Sequence, residues 1–234
     1  MRGISDNAIR EVATAVKALA VDERAAHVIL VLSDANAAFS LPDDPDRQEL
    51  LWVEDLTEEE AHSLLDHYNF FLRHKLENGS VINGDTNAQF RTKLFSSIGT
   101  RAATLVAAVT KSEVTDSESE RSVVSYNVAT VEEFITMRLN QARATVQHLS
   151  TLKNSNREVS GAAFSQLLLD LLRANESGVP VGVADKYLVP PDHAARIFKS
   201  YHAIMYHFPT QSYKFHSVAH RRAAQQLHEE GYFQ

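Results

Sequence analysis

The sequence predicts an α-rich α/β fold, and three observations carry that prediction. Most of the chain shows apolar residues at three- and four-residue steps, the period of an amphipathic helix. One short β-branched and aliphatic run, Val28 to Leu32 within HVILVLSD, has the character of a strand buried on both faces, as in a parallel sheet. The last ~75 residues read as helices followed by a β-hairpin and a closing helix, a compact arrangement for a small domain.

The 234 residues suffice for one large or two small domains, and 44% hydrophobic with 23% charged content is ordinary for a globular protein. There are no cysteines, which removes disulfides, thiolate metal sites and cysteine nucleophiles. A cysteine-free chain with no apolar block of signal-peptide length in MRGISDNAIREVATAV is expected inside the cell, in cytoplasm or nucleus. The longest purely aliphatic run, Val28–Leu32, is far short of the roughly 18 residues a membrane helix needs, so no membrane partner is expected.

The formal net charge is −7. It is uneven: residues 153–234 hold 9 basic and 7 acidic residues, while the rest holds 14 and 23. Sequence-independent nucleic-acid binding is therefore disfavoured everywhere except the C-terminal third.

In chain order, Ile9, Val12, Val16 and Leu19 mark a first helix. The HVILVLSD strand follows, then a Pro/Asp-rich loop from Phe39 to Arg47, then the short apolar stretch Leu50–Val53 as a candidate second strand. Thr57 with Glu60 three residues on is a capping box, opening a helix with Ala61, Leu64, Leu65, Tyr68 and Leu72 on its apolar face. Helices are expected over 86–98, stopped by Gly99, over 102–109, and over 130–152. The polar stretch KSEVTDSESERS between them reads as a linker. Beyond residue 153, a buried helix spans 164–172, and Asp192 caps another that turns Ala195, Ile197 and Phe198 inward. AIMYHF and YKFHS flank the turn PTQS as a hairpin, and SVAHRRAAQQLHEE closes the chain as a helix. Helices plus a hairpin in this span have the layout of a winged-helix module. The domain division is 1–56, 57–152 and 153–234.

None of the eight glycines is followed by lysine, so the Gly-Lys-Ser/Thr turn that cradles nucleotide phosphates is absent. The segment order nevertheless resembles the second half of AAA+/STAND-type P-loop ATPases. HVILVLSD is similar to the family's sensor strand, which places Ser33 at the sensor position with Asp34 after it. DPDRQELLWVEDLTEEEAHSLL is similar to the stretch where an arginine-bearing loop precedes a helix, which makes Arg47 the arginine-finger candidate. LFSSIGTRAATL resembles the helical lid motif that packs on adenine: Gly99 and Leu105 match it, and Ala102 stands where proline is usual. The resemblance implies a remnant parallel-sheet strand or pair, a helical lid and a C-terminal winged-helix-like module, with the nucleotide-binding first half missing. It further implies no chemistry of its own and no cofactor alone, ATP and magnesium acting only on completion by an N-terminal half. The expected role is regulatory or scaffolding, through a protein partner or self-association.

Each residue also has a plainer reading. Ser33-Asp34 is an ordinary turn after a strand. Arg47 sits among Asp43, Asp44 and Asp46 and pairs with them at a surface. Lys214, Arg221 and Arg222, with Tyr213 and Phe215, offer a nucleic-acid contact, the basis of the alternative reading as a free-standing winged-helix interaction or DNA-binding regulator. His193, His202, His207, His216, His220 and His228 crowd the C-terminal region, and HSVAH spaces two of them at i, i+4. Ser217 stands where a zinc protease needs glutamate, so no metal is expected. Glu58–Glu60 is explained by the helix dipole.

Overall fold

The computed structural model describes residues 53–68, 84–115, 124–126, 128–152, 160–188 and 200–233, with 11–12, 14–16, 18, 194 and 197–198. Helices dominate, and among the described residues there are two small antiparallel sheets, one of two strands and one of three. Leu149–His216 fall in one compact unit; Val53–His148 with Ser217–Gln234 fall in the other. This partition separates the last helix from the residues 153–216 with which the sequence groups it.

The helical unit opens with α1 (Glu58–His67). The Thr57 side chain accepts from the Glu60 amide at 3.2 Å, and the Thr57 amide donates to Glu60 Oε2 at 2.8 Å, the reciprocal capping box that the spacing predicts. These bonds hold the Glu60 carboxyl below its usual range. Val53, expected to end a strand, is irregular and 90% exposed.

Next come α2 (Gly84–Ile98) and α3 (Ala102–Ser112). Then β1 (Glu113–Thr115) pairs antiparallel with β2 (Val124–Tyr126), Val114 opposite Ser125. The KSEVTDSESERS stretch thus contains a ladder strand where its polarity suggests only a linker. Val114 and the β-branched pair Val123-Val124 beyond the acidic residues are the sequence signal for it.

The long helix α4 (Val128–Ser150) supplies Val131, Phe134 and Ile135 to a core shared with Leu65 of α1, Phe90, Leu94 and Phe95 of α2, and Leu105 and Ala108 of α3. Arg91 is only 6% exposed, and its guanidinium bonds Asp66 Oδ1 of α1 at 2.8 Å. The last helix, α7 (Val218–Glu229), buries Ala219, Ala223, Ala224 and Leu227 and packs on α2. Arg143 of α4 holds Glu230 through both guanidinium nitrogens, one at 2.8 Å from Oε1.

In the other unit, α5 (Gly161–Ala174) is capped by Ser160, whose side chain accepts from the Ala163 amide at 3.2 Å. A 3₁₀ turn at Asn175–Ser177 leads to β3 (Val179–Pro180) and the short α6 (Val181–Ala184). Residues 194, 197–198 and 200–201 are helical. Then β4 (Ile204–His207) and β5 (Ser212–Phe215) form a hairpin with Tyr206 opposite Tyr213. β3 pairs with the other edge of β5, so the sheet order is β3-β5-β4, antiparallel throughout. The sheet of this unit is therefore antiparallel; the parallel strand expected at Val28–Leu32 lies outside the described residues. Among the described residues no helix is long and apolar enough to cross a membrane.

Replacing Thr57 with Ala should cost about 1 kcal/mol, the usual value of a lost N-cap. The Glu60 carboxyl titrates below its normal range, so the stability it adds is present above that range and is lost as pH falls through its folded value. The gap between Thr57→Ala and the parent should therefore narrow on acidification, read from urea melts followed by helical circular dichroism.

Candidate functional site

The best-defined cluster of polar and aromatic side chains in one unit surrounds β5. Four rings meet in series across it. Phe164 of α5 lies 5.8 Å from Phe198, Phe198 lies 5.1 Å from Tyr213, and Tyr213 lies 6.2 Å from Tyr206, all at the inclined angles that aromatic quadrupoles favour. Phe164 and Phe198 are fully buried. Tyr213 lies on β5, where it and the neighbouring Ser212 are both buried.

Strand β3 reaches β5 only because residue 178 is glycine. Gly178 has φ +74°, and a Cβ there would sit 2.6 Å from the Tyr213 carbonyl oxygen and 2.8 Å from Ser212 Oγ. The sheet edge and the end of α5 are thus joined at a point no other residue fits.

Two carboxylates flank this core. Asp170 on α5 accepts from the Tyr187 hydroxyl at 3.0 Å, and its other oxygen accepts from Gln166 at 2.9 Å and Arg173 at 3.2 Å. Burial first, and then the hydrogen bond to Asp170, raises the Tyr187 phenol. Asp185, just after α6, has a buried Oδ1 with no hydrogen-bond partner, and this burial raises its carboxyl. Burial pushes the Tyr213 phenol up to about 12, with the Asp185 charge adding to it.

At the hairpin turn, His207 Nδ1 lies 2.6 Å from Thr210 Oγ1, which lies 2.7 Å from Ser212 Oγ. A histidine, a threonine and a serine in series suggest a nucleophile relay. Exposure decides against it: His207 is 3% and Ser212 2% exposed, so neither is offered to a substrate. The chain satisfies buried polar groups and holds the turn, where Gln211 has φ +49°.

Ser33, Asp34 and Arg47 lie outside the described residues, as does His193. Gly99 ends α2 with φ +83° and donates its amide to the Phe95 carbonyl at 2.8 Å. Ala102 is the exposed first residue of α3. Leu105 is fully buried in the protein's own core.

Lys214 lies on β5 in one unit, and Arg221 and Arg222 on α7 in the other. Arg222 donates to the buried Ser97 hydroxyl of α2 at 3.0 Å. His216 precedes the N-cap Ser217, so it is not on a helix face with His220 as the i, i+4 spacing would require. His220 turns back to Ser217 Oγ at 2.8 Å, and His228 stacks on Phe233 at 6.0 Å. Among the described residues no three His, Asp or Glu side chains are grouped to hold a metal.

Sequence reasoning missed Gly178, Asp185, Tyr187 and the His207–Thr210–Ser212 chain. The Asn-Glu-Ser-Gly run after an apolar helix is the one signal for a positive-φ turn at 178. The others are matched only by folding.

Gly178→Ala should destabilise this unit by more than about 2 kcal/mol, measured by denaturant unfolding. Alkali tests the phenols. A folded-state phenol raised above the unfolded value of 10.0 keeps its stability contribution below that value and loses it as pH rises towards about 12. Tyr213→Phe should flatten the stability loss across that window, followed by fluorescence unfolding with phenolate absorbance as the titration signal. Asp185 has the same sign at lower pH: it favours the fold when protonated and opposes it when ionised. Asp185→Asn should therefore raise the melting temperature at neutral pH and leave it nearly unchanged in acid.

The chain matches no protein-family model, and neither the curated proteins nor the solved structures give a match.

Proposed function

We propose that the chain is a regulatory or scaffolding part of an AAA+/STAND-type ATPase, without hydrolytic chemistry of its own, in which residues 161–215 form a winged-helix-like module that contacts a protein partner. One observation carries the module: the order helix, strand, short helix, helical stretch, hairpin, with the first strand added to the outer edge of β5. That order supports the winged-helix reading, in which a three-helix arrangement is closed by a small antiparallel sheet. The ATPase assignment is supported by the sequence resemblance, with α2, Gly99 and α3 in the order expected of a helical lid. The missing phosphate loop supports a non-hydrolytic role.

Three points favour a protein partner over DNA. The basic candidates are divided between two compact units. Arg222 is engaged with Ser97. The net charge of residues 153–234 is only +2, too small an electrostatic footprint for affinity built on phosphate neutralisation.

Titration with fluorescent ATP or ADP and magnesium, to millimolar nucleotide, should show no saturable binding. Saturable binding would overturn the reading of a part without its own nucleotide site. Duplex DNA at low salt should bind weakly or not at all, and Lys214→Ala/Arg221→Ala/Arg222→Ala should change nothing. A salt-dependent affinity abolished in that triple variant would replace protein contact with DNA contact.

A further inference from the structure

Two imidazoles meet at the end of the β4–β5 hairpin away from its turn. The His216 amide donates to the Ala203 carbonyl at 2.9 Å, which carries the ladder one residue beyond the pair Ile204 and Phe215. His202 is the next residue along. Successive side chains of a regular strand point to opposite faces, so an extended residue 202 would face away from His216. His202 is not extended. Its amide donates to the Phe198 carbonyl at 2.9 Å and its φ is +50°, which makes it the left-handed residue that closes the helical stretch before the strand. Glycine is usual at such a position, and histidine is one of the few other residues enriched there. The two rings come to lie side by side, with centroids 6.0 Å apart and planes inclined at 59°.

Solvent reaches the pair: His202 is exposed and His216 half-buried. Both belong to one compact unit. An inclined pair is also the way two imidazoles sit when they share one ion. With a metal–nitrogen bond of about 2.0–2.1 Å, a metal lies roughly 3.2 Å from the centroid of each ring it binds. Two ligated rings are then ~5.3 Å apart at a tetrahedral angle and ~6.5 Å apart in line. The observed separation of 6.0 Å falls between these limits. Each ring uses one nitrogen for the ion and keeps the other for a hydrogen bond, the usual arrangement of a ligating histidine. Two neutral nitrogen donors also select the ion. Imidazole suits zinc, copper and nickel, whereas magnesium and calcium prefer oxygen.

We propose that His202 and His216 form a two-histidine site for a zinc ion or a chemically similar divalent ion, with water completing the coordination. The second imidazole comes from across the hairpin, and not from His220 four residues on. The proposal is independent of the ATPase and winged-helix readings.

The test uses the full chain, freed of metal by dialysis against a chelator and titrated with zinc chloride. Imidazole resonances are followed by proton–nitrogen correlation NMR, and those of His202 and His216 are identified by their loss in His202→Asn and His216→Gln. Asparagine tolerates the left-handed backbone at 202. Both rings should shift together and saturably at micromolar zinc, because the second donor is held in the same molecule as the first. Either substitution should weaken the apparent affinity roughly a hundredfold. Magnesium chloride should move neither ring. The proposal is overturned if zinc moves neither ring below millimolar concentration, if one ring responds without the other, if either variant binds as the parent does, or if magnesium has the same effect. Melting temperatures establish which variants fold. Should His202→Asn not fold, His202→Gly, which relieves the left-handed backbone, takes its place.

Discussion

Strand β5 is the element on which the hairpin unit depends, because it is paired on both edges. Ser212–Phe215 hydrogen-bonds to β4 on one side and to β3 on the other. A two-stranded hairpin alone is marginal in water; a third strand and a helix packed on one face make it persist. The third strand is two residues long, and it is admitted only by the absent side chain at Gly178. The ring series from Phe164 to Tyr206 then fills the space between α5 and the sheet. Its apolar burial of several rings is the main stabilising contribution there.

Around that core, polar groups separate into those that are satisfied and those that are not. Asp170 receives three donors from Gln166, Arg173 and Tyr187, so its charge is well accommodated. The His207–Thr210–Ser212 chain answers buried hydroxyls and an imidazole at the turn. Asp185 has a buried oxygen that finds nothing. Such an oxygen tunes the stability of the unit with pH.

The helical unit rests on a different principle. Its core is a mix of aliphatic and phenylalanine side chains from four helices, and its charges lie round the rim. Most rim pairs are exposed and contribute little, as Arg143 with Glu230 illustrates. Arg91 is the exception, a buried guanidinium reaching across to Asp66. Lys111 and Arg138 each lie over the Phe134 ring.

By itself the sequence determined the local structure: the Thr57–Glu60 box, the stop at Gly99, the long helix expected over 130–152 and found over Val128–Ser150, and the hairpin around the turn PTQS. Each follows from interactions between residues a few positions apart, which periodicity and capping chemistry report directly. Lys214, Arg221 and Arg222 are near in sequence, and the boundary between the two units falls between them at 216–217. Tertiary structure alone decided that α7 packs on α2, more than a hundred residues upstream, and that β3 adds to the far edge of β5. It alone brought Tyr187 to Asp170 and stacked Lys111 and Arg138 on Phe134. The packing of α7 on α2, of β3 on β5 and of Tyr187 on Asp170 joins separate segments by shape and burial, and leaves no local pattern in the amino-acid order.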